Sequence, residues 1–121
     1  MPLRVRCHII NAGLVHYWEA WEKQLSLASQ VAEGSRPNTV IFVEHPPVYT
    51  IGRRGRRDHV MLNDTELAEY GISLYEVDRG GEATYHGPGQ LVAYPVLNLK
   101  EWGGPVKYVR TLERVITKTM K

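Results

Sequence analysis

The segment Asp78-Arg79-Gly80-Gly81-Glu82-Ala83-Thr84-Tyr85-His86-Gly87-Pro88-Gly89-Gln90-Leu91-Val92-Ala93-Tyr94-Pro95 places four glycines within ten positions, between two strand-like apolar runs. Glycine loses more backbone freedom on folding than any other residue. Such a density is kept only where the chain needs unusual dihedrals or a close approach to its backbone. Core packing asks for neither, but a ligand does. Exposed N–H groups beside Arg79, Thr84 and His86 can grip a carbonyl or carboxylate, and absent side chains leave room for a chain to lie along the backbone. The flanking sequence must hold this stretch as a cradle of strand, glycine loop and strand.

The frame is legible in order. Leu3, Val5, Cys7 and Ile9 alternate with Arg4, Arg6 and His8, the period of a strand with one buried face, over Leu3 to Ile9 and ended by Asn11-Ala12-Gly13. Leu14, Trp18, Trp21, Leu25, Ala28 and Ala32 recur at helical spacing, with Gly34 and Pro37 as stop signals, and predict an amphipathic helix covering a sheet. Thr39 to Glu44 is a continuous apolar run and reads as a central strand buried on both faces, stopped by Pro46-Pro47. Asn63-Asp64-Thr65-Glu66 is a capping-box start for a short helix closed by Gly71. Ile72 to Asp78 is a strand with Leu74 and Glu76 on one side and Tyr75 and Val77 on the other. Leu91 to Leu99 is another, broken or placed near an edge at Pro95. Pro105 opens a last helix whose stripe is Val109, Leu112, Ile116 and Met120, with no stop signal after it. The order of elements is that of an α/β (α+β-like) domain with a mixed sheet flanked by helices.

With 121 residues, 43% apolar and 23% charged, the chain is a single small domain of ordinary globular composition. A net charge of +2 does not call for nucleic acid. The one cysteine fits a reducing compartment, and no apolar run is long enough to span a bilayer, so the expectation is a soluble cytoplasmic protein that binds neither nucleic acid nor membrane. Cys7, on the apolar phase of its strand, reads as buried and inert, and His8 as solvated. Gly52-Arg53-Arg54-Gly55-Arg56-Arg57 holds four arginines in six residues. It is a solvated loop or a landing patch for an acidic, phosphate-bearing partner, and it lacks the interleaved aromatics of a nucleic-acid surface. His45 and Tyr49 follow the carboxyl end of a strand, where α/β sites often form. From chemistry alone His45 is a locally bonded loop histidine or a ligand-facing one.

Arg79-Gly80-Gly81-x-x-Thr84-Tyr85-His86-Gly87-Pro88-Gly89-Gln90-Leu91 with Tyr94-Pro95, together with Glu44-His45-Pro46-Pro47-Val48-Tyr49-Thr50-Ile51-Gly52-Arg53 upstream, resembles the signature of the lipoate-biosynthesis octanoyltransferases. The resemblance implies the catalytic-domain fold of the biotin and lipoate ligases. It also implies transfer of an octanoyl group from an acyl carrier protein, through an enzyme cysteine, to a lysine of a lipoyl-carrier domain. Such acceptors are the 2-oxoacid dehydrogenase subunits and the glycine cleavage H protein. No cofactor is implied. Carried over by position, Arg79, Gly80, Gly81, Glu82, Ala83, Thr84, Tyr85 and His86 are the substrate-binding segment, and His45 and Tyr49 line the acyl pocket. In these roles Gly80 and Gly81 admit the acyl chain, Thr84 and His86 position the thioester carbonyl, and Arg79 anchors the loop or contacts the pantetheine. Without the resemblance, Arg79 pairs with Asp78 or Glu82 and His86 makes a loop hydrogen bond.

Acyl transfer needs a thiolate, a group to manage the proton, and donors for the oxyanion. In the family the cysteine and lysine lie in the second half, in Pro-Cys-Gly-like and Lys-Ile-Ala-like segments. Neither segment occurs here, and Lys23, Lys100, Lys107, Lys118 and Lys121 all read as solvent-facing. The chain, residues 1–121, is therefore expected to be a single partial catalytic domain holding the acyl cradle, with the catalytic pair beyond Lys121. Alone it is expected to be inactive and prone to self-association through uncovered strands and the last helix. Two readings stand beside this one. A ligase that adenylates lipoate or biotin is one, given a basic loop that resembles that of biotin ligases, although Gly87-Pro88-Gly89-Gln90 favours the transferase. The other is a module that binds an acyl chain or carrier protein without turnover.

Overall fold

A computed structural model describes residues 6–121. Its architecture is α/β, with two three-stranded sheets where the sequence promised one. The first has the order β1 (Cys7–Leu14), β2 (Asn38–Glu44), β6 (Val92–Val96), and the second β4 (Ser73–Glu76), β3 (Val48–Ile51), β5 (Ala83–His86). Each sheet is mixed: β2 runs parallel to β1 and antiparallel to β6, and β3 parallel to β4 and antiparallel to β5. Pro46-Pro47 is the corner where the chain leaves the first sheet for the second. Proline cannot donate to a ladder, so the pair ends β2, and Val48-Tyr49-Thr50-Ile51 begins new pairing at once. Its β-branched and aromatic residues suit a strand, yet sequence reading passed over it because it is short and follows two prolines.

Among the described residues three α-helices accompany the sheets. Helix α1 (Tyr17–Glu33) ends at Gly34, whose φ of 81° and N–H bonds to the Gln30 and Val31 carbonyls make the left-handed cap that glycine accommodates best. Helix α2 (Asp64–Glu69) starts in the expected capping box: Asn63 Oδ1 accepts from Glu66 N–H at 2.8 Å, and Asn63 N–H donates to Glu66 Oε1 at 3.1 Å. Helix α3 (Pro105–Thr119) begins on Pro105 as expected but buries none of its residues. Val109, Leu112, Ile116 and Met120 are all exposed, and the helix packs mainly on the short 3-10 turn Leu99–Trp102, where Trp102 packs edge-on against Tyr108 at 5.8 Å.

Two core clusters result. Leu27, Ile41 and Val43, with Ile10, Ala12, Val15, Val92, Tyr94 and Val96 around them, lie between α1 and the first sheet. Ile51, Val60 and Leu67, flanked by Tyr49, Leu62, Ile72, Leu74 and Ala83, lie under the second sheet and α2. Leu74 and Tyr75 take opposite sides of β4 as expected.

Several expectations are corrected. Residues 3–5 of the first expected strand lie outside the described residues, and the strand continues through Gly13, with a bulge at Asn11/Gly13, to Leu14. Its phase is the reverse of the one expected: Ile10 and Ala12 face the core, while Cys7 and Ile9 are exposed, Ile9 at 48%. Helix α1 is likewise turned by one residue. Tyr17, Ala20, Leu27 and Val31 are buried, whereas Trp18 and Leu25 are 50% and 57% exposed. Both stripes have helical spacing, and the buried one carries Ala20, small enough to let the helix come close to the sheet. Strand β2 is central, but only Thr39, Ile41 and Val43 of its alternating set are fully enclosed, with Val40 and Phe42 half-buried on the other face. The middle of the expected glycine loop is also strand, since Ala83–His86 forms β5.

Ile41, 1% exposed at the centre of β2, reports on the first core. Ile41→Ala is expected to cost about 2–5 kcal/mol in urea unfolding, and Ile9→Ala on the open face of β1 less than about 1 kcal/mol.

Candidate functional site

Strand alternation decides which signature residues meet. In β5, Thr84 pairs with Thr50 and His86 with Val48, and across β3 those positions pair with Tyr75 and Ser73. Paired residues share a face, so Thr84, His86, Thr50, Val48 and Tyr75 look one way. Ala83 and Tyr85 look the other way with Ile51 and Tyr49. Ala83 packs on the second core, and the Tyr85 ring lies tilted against that of Tyr49 with centroids 5.2 Å apart. The first face turns towards α1 and the end of β2. There Tyr17 stacks on Tyr75 at 5.7 Å, Trp18 stacks on the same ring at 6.1 Å, and the His45 ring lies 5.9 Å from that of His86. The structure thus gathers Tyr17, His45, Thr50, Tyr75, Thr84, His86 and Tyr94 into one aromatic and polar floor. Of the expected pair His45 and Tyr49, only His45 belongs to it.

His45 is fully buried. Its Nδ1 lies 2.7 Å from the Val15 carbonyl and its Nε2 2.7 Å from Tyr94 Oη. A carbonyl only accepts, so Nδ1 carries hydrogen and donates to Val15 O. In the neutral ring Nε2 is the acceptor, and the Tyr94 hydroxyl donates to it. Burial lowers the His45 pKa, the bond to Val15 opposes this, and nearby His86 lowers it further. The neutral form is therefore the resident one. Burial pushes the Tyr94 phenol upward, with Tyr17 adding to the effect, so that hydroxyl stays protonated and available as the donor. Tyr17 is raised by burial too, against the attraction of Arg79. Sequence reading missed Tyr17, Tyr75 and Tyr94 as site residues, because nothing in their spacing marks them apart from core.

Arg79 is a brace. Its Nη2 reaches Thr50 O at 2.9 Å, Thr50 Oγ1 at 2.8 Å and Glu82 O at 3.0 Å, and its Nη1 reaches Gly80 O at 2.9 Å. It makes no ion pair with Asp78 or Glu82. The main chain adds to the clamp, with Gly52, Arg53 and Arg54 N–H donating to the carbonyls of Glu82, Arg79 and Gly81 at 2.7, 3.0 and 3.0 Å. Gly52 is obligatory, since a Cβ there would stand 2.5 Å from Gly81 O and 2.9 Å from Arg79 O. Gly81, at φ +91°, takes the left-handed turn, while Gly80 faces open space. The carbonyls of this turn are thus spent on holding the fold, and Gly80 alone offers an unobstructed approach.

The arginine run is largely consumed as well. Arg57 caps Val60 O and Leu62 O at 3.1 and 2.9 Å and pairs with Asp64, Arg56 pairs with Asp58 at 3.2 Å, and Arg53 Nε donates to Asp78 O. Only the Arg54 side chain makes no bond to a described residue. Cys7 and the five lysines are exposed and outside the floor. Grooves of about 350 to 600 Å³ lie along α3 and beside the loops at Arg36 and Met61, and none is lined by residues 79–86.

A family model described as the lipoyl protein ligase A/B catalytic domain matches residues 16–121. The chain belongs to that family. Among its relatives, an octanoyltransferase of Bacteroides fragilis is 48% identical over 110 residues, covering 85% of this chain and 49% of the relative. Octanoyltransferases of Chloroflexus aurantiacus and Gloeobacter violaceus are 43% and 44% identical, covering 89% and 95% of this chain and 49% and 50% of theirs. The chain spans about half the length of the curated relatives it matches. Among the described residues no helix is long and apolar enough to cross a membrane.

The His45 geometry fixes a sign for pH dependence. A histidine whose folded pKa lies below its unfolded value of 6.5 binds protons more readily unfolded, so stability is full above 6.5 and is lost as pH falls towards the lowered folded value. In urea unfolding from pH 7.5 to 5, His45→Asn is expected to flatten this acid-side loss relative to the native chain. Tyr94→Phe, which leaves Nε2 buried without a donor, is expected to cost about 1–3 kcal/mol at pH 7.5.

Proposed function

We propose that this chain forms the acyl-binding part of an octanoyltransferase. An octanoyl group arrives as the thioester of an acyl carrier protein and leaves on a lysine amine of a lipoyl-carrier domain. The carrying observation is the face on which Thr84 and His86 stand beside the His45–Tyr94 pair, over the aromatic floor of Tyr17 and Tyr75. An acyl thioester has an apolar tail and one polar, electrophilic carbon. This face offers the stacked, partly open rings of Trp18 and Tyr75 next to groups that donate and accept hydrogen bonds, as a small-molecule site requires. The relatives' name points the same way, and they are twice as long.

The thiol that would attack the thioester is not on this face. Cys7 opens β1, exposed, with its sulfur 3.9 Å from the His8 carbonyl. The nucleophilic cysteine, its partner lysine and the second wall of the acyl pocket therefore come from the part of the family domain that this chain does not span. Its own contribution is to hold and orient the acyl group.

Titration of the isotope-labelled chain with octanoyl-pantetheine is expected to perturb Thr84, His86, Tyr75 and Tyr94 saturably. Perturbation confined to the apolar face of α3, or none at all, would sink the reading. Intact mass after incubation with octanoyl carrier protein is expected to show no adduct on Cys7. For the carrier protein, Arg54→Glu is expected to slow association severalfold at low salt while leaving stability within about 0.5 kcal/mol. Arg57→Glu, which strips two carbonyls and Asp64 of their donor, is expected to destabilise the chain instead.

A further inference from the structure

Gly87-Pro88-Gly89-Gln90 is a tight turn in which Gln90 N–H donates to Gly87 O at 3.1 Å. Proline in the second position and a glycine at φ +88° in the third are what a type II turn requires. Two features fix its place. Gly89 N–H donates to Glu44 Oε1 at 3.0 Å, and Gly87 is buried where a Cβ would stand 2.5 Å from Tyr85 Oη. The turn carries Gln90 back to the ring four residues earlier, where its Oε1 meets His86 Nδ1 in a hydrogen bond.

One orientation of the amide satisfies both of its ends. Gln90 Nε2 donates to the Tyr85 carbonyl at 3.4 Å, and a flipped amide would set two carbonyl oxygens against each other. Oε1, which only accepts, therefore faces the ring, and His86 Nδ1 carries the hydrogen. In the neutral imidazole the remaining nitrogen, Nε2, is then a bare lone pair. It makes no hydrogen bond to a described residue. His45, 5.9 Å away between ring centroids, has both nitrogens engaged by Val15 and Tyr94.

We infer that Gln90 is a positioning residue that holds His86 in the Nδ1–H tautomer, so that the neutral ring offers Nε2 as a hydrogen-bond acceptor on the acyl face and not as a donor to the acyl carbonyl. The inference rests on the acyl-transfer reading of the site: an acceptor there can take the N–H of an incoming amine or of the pantetheine amide, while the proton of the reaction stays with the catalytic pair outside this chain. The Thr84 hydroxyl, two residues earlier on the same face, is left as this strand's donor to the carbonyl oxygen.

Long-range proton–nitrogen NMR of the chain with labelled histidine, at a pH where both rings are neutral, reads the tautomers without any acyl ligand. The expected spectrum shows His86 hydrogenated on Nδ1 with a pyridine-type Nε2. Gln90→Glu, whose carboxylate still accepts, is expected to keep that pattern, while Gln90→Leu and Gln90→Met lose it. The His45 ring, expected to stay Nδ1–H throughout, reports that each variant is folded. A native spectrum with hydrogen on His86 Nε2, or a Gln90→Leu or Gln90→Met variant that keeps it on Nδ1, would overturn the assignment. Failure of octanoyl-pantetheine to bind would remove the functional reading while leaving this tautomer result intact.

Discussion

His45 holds together three parts of the chain that sequence separates widely. Its ring donates to the carbonyl of Val15 at the entry to α1 and accepts from the Tyr94 hydroxyl on β6, while its own backbone stands at the corner where β2 gives way to the second sheet. Inside a protein each of these bonds is hard to give up, because a buried polar atom without a partner costs about 1–3 kcal/mol. The Val15 amide is held as well, donating to Glu44 O at 2.9 Å, so the strand-to-helix junction is tied on both of its polar groups. The two sheets meet the start of α1 around this one ring, and the aromatic floor of the site exists because they do.

The glycine-rich stretch is built differently from a bare ligand cradle. Its first half is a turn whose carbonyls are consumed by Gly52, Arg53 and Arg54 and whose guanidinium is spent on Thr50 and Glu82. Its middle is a strand, and only its end is a second turn. Arg79 therefore acts on the site through Thr50, by fixing how β3 and β5 lie, and Gly52 allows the two segments to touch. The glycines serve close backbone packing as much as any ligand. The same economy applies to the arginine loop, where Arg57 closes the start of α2 and leaves Arg54 as the side chain turned outward.

Local chemistry was readable wherever a residue type has one dominant use. Asn63 and Glu66 announced their capping box, Gly34 its left-handed cap, Pro105 its helix start and Pro95 its edge strand. The alternation in Leu74-Tyr75 was correct because β4 carries large residues on both sides, with a charged neighbour to break the tie. Phase failed in β1 and α1 for a common reason. In each, a second apolar set of equal period lay one residue away, Ile10 and Ala12 against Cys7 and Ile9, Tyr17 and Ala20 against Trp18 and Leu25. Periodicity cannot choose between such sets, whereas a partner strand can. The exposed set on each element, with the uncovered stripe of α3, is why surface apolar residues are so many here.

The amino-acid sequence by itself determined the family, the three α-helices and the caps and turns at Gly34, Asn63 and Pro105, because glycine, proline and capping residues act on their own backbone and need no distant partner. Folding in three dimensions decided which side of each element is inside. It also decided that Thr84 and His86 look into the site while Ala83 and Tyr85 do not, and that Tyr17 and Tyr94 join them. Those outcomes depend on hydrogen bonds between residues 30 and 49 positions apart, and on a strand pairing at Val48–Ile51, which no local pattern encodes.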